Sequence, residues 1–469
     1  MVCMRRSEND SSDLRSLRSA TAEYCSISST STVTGHTLCR TARNGTVSGL
    51  PPCHVLLGSV KAQLLAAASR SGANSRVIYQ IRRGYIITVA ILQVLPNKQY
   101  PNKLASRIRT SQPLHHIQQM ASQKALVVLQ KGADFQVDSI PVPVPKNDEL
   151  LVKVKVAALN PVDEKIRQFG ILFETFPAIL GFDIAGEVVK VGEGEVAGKF
   201  KEGDRVLLEG GLSNEYDGFQ QYALADAHTT AIIPDSISYD EAGTLPLALS
   251  TAYVGMYNTL PHGIELKPFT APGGTGAYSG QAIFISGGPS SVGQAAIQFA
   301  KLSGFSYILT TASLKHTEHL KSLGATHVID RNLPLEAFRA ELAKIEGLPK
   351  IEYAYDSIGD VVASFAYALE ALAPNGKVAS VNPRFPFESA DNNGKQLARI
   401  SAVKTSPPNV DSIRALWGDL TKLLESGALK GSRFEVLPGG LAAIADGVKR
   451  FGQNQVSGVK LLVHPDETA

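Results

Sequence analysis

The sequence predicts an α/β protein in which a small β-barrel is coupled to a doubly wound parallel sheet. Three observations carry that expectation. Short apolar strands broken by glycine turns fill residues 124–210. From about Ser250 onward, strand-like and helix-like patterns alternate. Between the first of those strands and its helix lies a glycine-rich turn. Many short strands with regular turn signals read as a barrel, and strand–helix alternation reads as a parallel sheet.

The chain has 469 residues and is 44% hydrophobic, enough for two or three domains with a sizeable core. Its net charge of +3 hides an uneven split. Residues 1–119 hold fifteen Lys/Arg and four Asp/Glu, a net of +11, against −8 for the rest. Cys3, Cys25, Cys39 and Cys53 also lie in that first segment, and residues 120–469 have no cysteine. A disulfide, a thiolate nucleophile and a Cys-ligated zinc are therefore excluded from the body.

Residues 1–119 are rich in Ser, Thr and Arg and keep no period beyond about ten residues. They are expected to be a disordered basic extension or an over-extended gene start, with Met120 opening the folded body. Such a leader resembles a transit peptide, but Glu8, Asp10, Asp13 and Glu23 fall where those peptides avoid acids. No aromatic interleaving supports a nucleic-acid arm. No apolar run reaches the roughly 18 residues of a bilayer span. The expectation is a cytoplasmic protein, ahead of mitochondrial import, with no nucleic-acid or membrane partner.

Within the body, the elements follow in order. "KALVVL" and "LLVKVKVAALN" read as strands, with the turn-rich edge "PVPVPKNDE" between them. "DIAGEVVKVG" and "GDRVLLEG" continue the barrel. "AIFIS" is a short buried strand, and Val292, Ala295, Ala296, Phe299 and Ala300 then form an apolar stripe at helical spacing. "YILTT", "HVID", "IEYAYD" and "GKVASVN" are further strands, with a helix ending at Gly324 and another over "VVASFAYALEAL". "GVKLLVHP" reads as a strand that returns to the barrel. The expected division is a barrel domain over 120–248, completed by 409–469, and a parallel-sheet domain over 249–408.

The turn "SGGPSSVGQ" places Gly288, Ser290 and Gly293 at the three small-residue positions of a G-x-G-x-x-G motif. Pro289 fills a variable position, and Ser291 and Val292 open the helix. Gly293 allows close packing of helix on strand, and Ser290 is small enough for a pyrophosphate to approach the main chain. The helix N-terminus supplies unpaired N–H groups and partial positive charge. An NAD-selective site carries an acid about 20 residues on. Here no acid occurs between Gln294 and Glu318, and Ser313 and Lys315 stand at the strand end instead. A hydroxyl and an ammonium suit a 2′-phosphate, so NADPH is the expected cofactor, with Arg331 a further candidate for the same pocket. The upstream "GGTGAYSG" precedes its strand and reads as a flexible loop.

Several segments resemble the medium-chain dehydrogenase/reductase superfamily. They are "AALNPVDEKI", "LGFDIAGEVVKVG", "FKEGDRV", "DGFQQYALAD", "DEAGTLPLALSTAY" and "LKSLGATHVID", in that order. The resemblance covers residues 121–469 and is nearest to zinc-free quinone and fungal trans-enoyl reductases. It implies a GroES-like catalytic barrel, a Rossmann cofactor domain and hydride transfer to an activated alkene or a quinone. "GFD" stands where zinc members carry a histidine-bearing segment, so no metal is expected. The resemblance also sets the "NPVD" turn beside the nicotinamide. It makes Asn160 the first candidate to orient cofactor or substrate and Thr251 the residue facing the nicotinamide. Asp163 and Asp183 are ionisable candidates, each with a capping role as the alternative. Tyr253 and Tyr257 are proton donors or core. The competing function is a non-catalytic NADPH-binding protein; a short-chain dehydrogenase is excluded for want of a Tyr-x-x-x-Lys spacing. A small-molecule substrate and a homodimer are the expected partners.

Overall fold

The computed structural model describes residues 121–173, 175–382, 387 and 392–469, and the strand assignments of Ser75–Arg82 and Tyr85–Gln93. The chain divides into two units, Met1–Pro113 and Leu114–Ala469. In the first, β1 (Ser75–Arg82) pairs antiparallel with β2 (Tyr85–Gln93). This hairpin departs from the expectation of a leader without regular structure: "RVIYQI" and "YIITVAI" are rich in β-branched and aromatic residues and suit strands. The rest of the leader, its four cysteines included, lies outside the described residues.

In the second unit, β3 (Ser122–Val128) and β4 (Phe135–Pro141) form a hairpin. The long strand β5 (Glu149–Ala158) leads into α1 (Pro161–Phe169). The short β6 (Ala178–Ile179) joins β3, and β7 (Asp183–Val191), β8 (Arg205–Glu209), β9 (Tyr222–Asp226) and β10 (Thr230–Ile232) continue the barrel. Strand β4 and helix α1 are additions to the sequence-based elements. The "NPVD" segment is a helix start rather than a turn: Pro161 has a φ preset for the first helical position. Asp163 accepts a hydrogen bond from Asn160 N–H at 2.7 Å, which holds the chain as it enters the helix.

Helices α2 (Tyr239–Ala242) and α3 (Pro246–Tyr257) lead to the second sheet. There β11 (Ala282–Ser286), α4 (Ser291–Ser303), β12 (Tyr307–Ala312), α5 (Thr317–Leu323), β13 (His327–Asp330), α6 (Leu335–Ala343), β14 (Ile351–Asp356), α7 (Ser364–Ala371), β15 (Lys377–Ser380) and β16 (Gln396–Arg399) alternate. The six strands are all parallel, in the order β13-β12-β11-β14-β15-β16. Successive residues of β11 face opposite cores: Ile283 and Ile285 pack with α3 and α4, Ala282 and Phe284 with α6 and α7. The chain then runs through α8 (Val410–Glu425), β17 (Phe434–Val436), α9 (Ile444–Gly452) and β18 (Lys460–Val463). Strand β18 pairs antiparallel with β5, which returns the chain to the barrel sheet.

The "GGTGAYSG" segment is not a loose loop. Its Tyr278 ring is buried and stacks on Phe305 at 4.7 Å, and its hydroxyl accepts a hydrogen bond from Lys267 N–H at 2.6 Å. The buried aromatic anchor outweighs the glycine content. Among the described residues, no helix is long and apolar enough to cross a membrane.

Candidate active site

The glycine turn lies at the carboxyl end of β11. Gly287 takes φ +76°, and a side chain there would meet Ile358 at 2.3 Å. A Cβ on Gly288 would lie 2.2 Å from Thr310 Oγ1, and one on Gly293 2.4 Å from the Gly287 carbonyl. These contacts fix three glycines, one more than the motif reading used. Ser290 is the N-cap of α4, and its Oγ accepts from Gly293 N–H at 3.0 Å. The same hydroxyl meets Ser357 Oγ at 2.9 Å, and Ser357 in turn donates to the Ser286 carbonyl at 2.6 Å. Buried Asp356 accepts from Ser286 Oγ, Ser380 Oγ and the N–H groups of Ile358 and Gly359, which ties β11, β14 and β15 together below the turn. The result is a rigid cradle of main chain and hydroxyls at a helix N-terminus, which fits a pyrophosphate.

On the barrel side, Asn160 and Asp183 sit at the ends of paired strands β5 and β7. Asn160 Nδ2 donates to Asp183 Oδ2 at 2.7 Å, and Lys460 Nζ donates to Asn160 Oδ1 at 2.7 Å. Lys460 also forms a 2.7 Å ion pair with Asp183, and Asp183 Oδ1 accepts from Leu247 N–H at the start of α3. Both charges are almost wholly buried. Asp163 lies in the same buried cluster; loss of solvent pushes its carboxyl up to about 8.

A cavity of about 900 Å³ joins the two sides. Asn160, Thr251, Ser290, Ser291 and Val292 line it, with Lys460, Lys404 and Glu209. Asp163 does not reach its wall. Ser313, Lys315 and Arg331 are likewise outside the lining; Lys315 and Arg331 are exposed beyond the ends of β12 and β13. The Leu212–Asp217 loop reaches the cavity through Leu212, whereas Ile264–Gly280 contributes nothing to the lining. Tyr253 and Tyr257 are core: their hydroxyls meet Thr270 and Ser303 at 2.6 and 2.7 Å. His316 is buried against Ser457 and His319 pairs with Gln294, so neither is poised as a ligand.

Sequence reading passed over Lys460, Lys404, Glu209 and Ser357. For two of them a signal existed. Lys460 and Glu209 each interrupt or end an otherwise apolar strand, in "GVKLLV" and "RVLLEG". A charge in a run that is apolar on both faces is carried into the core with its strand and has to be paired there.

Among the described residues, no group of three or more His, Cys, Asp or Glu side chains converges on one point. The nearest acids are committed, Asp183 to the Lys460 ammonium and Asp163 to the α1 N-terminus.

Comparison with known proteins agrees with this architecture. Residues 146–235 match the alcohol dehydrogenase GroES-like domain, and residues 291–395 match the domain described as zinc-binding dehydrogenase. A trans-enoyl reductase of Alternaria alternata is 32% identical over 74% of this chain and 100% of its own length. Another, from a Penicillium species, is 30% identical over 72% of this chain and 97% of its own. The crystal structure of an alcohol dehydrogenase superfamily protein from Novosphingobium aromaticivorans superposes with a TM-score of 0.61 at 25% identity, over 73% of this chain and 99% of that one. With a GroES-like barrel, a Rossmann-like parallel sheet and full-length relatives of this kind, the chain belongs to the medium-chain dehydrogenase/reductase superfamily of oxidoreductases.

Proposed function

We propose that the protein is an NADPH-dependent, metal-independent reductase of an activated C=C bond, enoyl or enone, or of a quinone. The observation that carries this reading is the single cavity that touches both the Ser290 cradle and the Asn160–Lys460–Asp183 cluster. The fungal relatives named trans-enoyl reductases support the alkene class.

When bound, a dihydronicotinamide supplies the hydride. The chain's own residues do the rest. Gly288, Ser290, Ser291, Val292 and Gly293 hold the pyrophosphate through the turn and the α4 N-terminus. Ser313 and Lys315, with Arg331, receive the 2′-phosphate. Asn160 is clamped at both ends of its amide, so one Nδ2–H is spent on Asp183 and the other is left for a ligand. Thr251 borders the same space; its carbonyl accepts from the buried Tyr355 hydroxyl at 2.9 Å, which fixes this turn of α3. The apolar wall of Leu159, Phe182, Leu247 and Ile400 excludes water, which strengthens every polar contact inside.

Stopped-flow NADPH oxidation against enoyl thioesters, enals and quinones tests the reading. At least one acceptor should be reduced at a rate that saturates. Tight NADPH binding without oxidation by any acceptor would replace the reductase with a non-catalytic NADPH-binding protein.

A further inference from the structure

Strands β7 and β8 set Asp183 directly opposite Glu209 in the antiparallel ladder. Cross-strand partners point to the same face of a sheet, and two like charges there repel. The fold gives the two acids different surroundings. Asp183 accepts three hydrogen bonds, one of them from the Lys460 ammonium. Glu209 is 3% exposed, and its Oε2 has no hydrogen-bond partner. Burial pushes its carboxyl up to about 8; Lys404 and a hydrogen bond from Ser250 oppose that, and the Asp183 charge adds to it. Glu209 is thus a protonated acid at neutral pH, in the wall of the cavity that also holds Asn160 and Thr251. A buried carboxyl raised by its surroundings, in the wall of a cavity, is a candidate acid.

Lys404 stands next to it. Its ammonium donates to the Glu209 main-chain carbonyl and, at 3.4 Å, to Thr229 Oγ1, while the residue as a whole is only partly buried and lines the cavity. Asp226 and Asp217 also face this ammonium. A cation so placed steadies a carboxylate formed beside it.

We propose that the Glu209 carboxyl is the proton donor of the reduction, with Lys404 stabilising the carboxylate it leaves behind. The proposal rests on the reductase reading above. The alkene gains a hydride at one carbon from the nicotinamide donor, which is oxidised by two electrons. The alkene π pair shifts toward the activating carbonyl. The carbon next to that carbonyl then forms a bond to the Glu209 proton, and the O–H pair stays on Glu209 as carboxylate. A solvent proton restores the acid after the product leaves.

The test uses Glu209→Gln in the full chain, with two readouts. The first is infrared spectroscopy without substrate. Wild type should show a protonated-carboxyl band at pH 7 that is absent from Glu209→Gln and titrates away near pH 8. The second is turnover of whichever acceptor the wild type reduces. The wild-type rate should fall as pH rises through about 8. In Glu209→Gln, kcat should drop about a hundredfold, with NADPH affinity unchanged and the alkaline limb gone. Wild-type turnover in the variant, a retained limb, or identical infrared bands would each overturn the donor role and leave the reductase reading intact. A wild type that reduces no acceptor would overturn the reductase reading and the donor role with it. If Glu209→Gln does not fold, Lys404→Met decides: removal of the cation should move the alkaline limb to higher pH, and an unmoved limb overturns the proposal.

Discussion

The glycine-turn side of the cavity is made of main chain, glycine and neutral hydroxyls, held by Ser290, Ser357 and the buried Asp356. The barrel side instead buries Asp163, Asp183, Glu209, Asp217 and Lys460 around the same space, with Lys404 reaching in from the loop after β16. The first side is defined by its main-chain geometry. Its partial charges come from a helix end and do not titrate near neutrality. The second side is held by ionisable groups that each depend on a neighbour. Asp163 Oδ1, Glu209 Oε2 and both Asp217 oxygens have no hydrogen-bond partner, and burial raises all three carboxyls above the usual range. One cavity therefore has a wall insensitive to pH and a wall that titrates.

The largest expected break of this contrast is Lys460→Met. It leaves Asp183 buried without its cation, which should cost about 3–5 kcal/mol of stability. Urea denaturation should show the loss almost unchanged between low and high salt, because the pair is shielded from solvent. A loss under 1 kcal/mol would mean that the pair is dispensable.

Next in size is Lys315→Ala on the other side. NADPH binding should weaken by about ten- to a hundredfold, roughly 1.4–3 kcal/mol, with NADH binding nearly unchanged. Lys315 is exposed, so this preference should shrink as salt rises, opposite to the behaviour of Lys460. Nicotinamide fluorescence titrations measure both cofactors; equal losses would make Lys315 a plain surface lysine.

The third effect, the smallest per pH unit, is on the pH profile of stability. Asp163 titrates at about 8 when folded and at about 4 when unfolded. Between those values the unfolded chain gives up a proton that the folded protein keeps. Stability is therefore full below about pH 4 and is lost as pH rises toward 8, by at most about 1.4 kcal/mol per pH unit. Asp163→Asn cannot titrate and should flatten the profile by that share, with Glu209 and Asp217 retaining theirs. Denaturation midpoints at pH 5, 6.5 and 8 check it; an unchanged slope would show that Asp163 is not held protonated.

What could be read in advance follows the same division. The glycine turn was legible because its requirements are local: strand, small residues and helix start occur within about twenty consecutive residues. Even so, the motif reading missed Gly287, whose need for glycine comes from Ile358 on the neighbouring loop. Helix α1 was hidden because it is short and polar, and its start matched a turn. The tyrosines of α3 could be core or donors until the packing of α3 on α4 enclosed them.

The sequence by itself determined the alternation of strands and helices, the position of the glycine turn and the lack of cysteine chemistry in the body. These depend on residue type and on spacing along the chain. Only the tertiary structure decided that Asn160, Glu209, Lys404 and Lys460 share one cavity wall, with Asp183 paired to Lys460. Lys460 reaches Asn160 from 300 residues away because β18 returns to pair with β5, and Glu209 faces Asp183 because β7 and β8 run antiparallel in that register. Strand pairing brings distant residues into contact, and burial then sets which of their carboxyls keeps its proton.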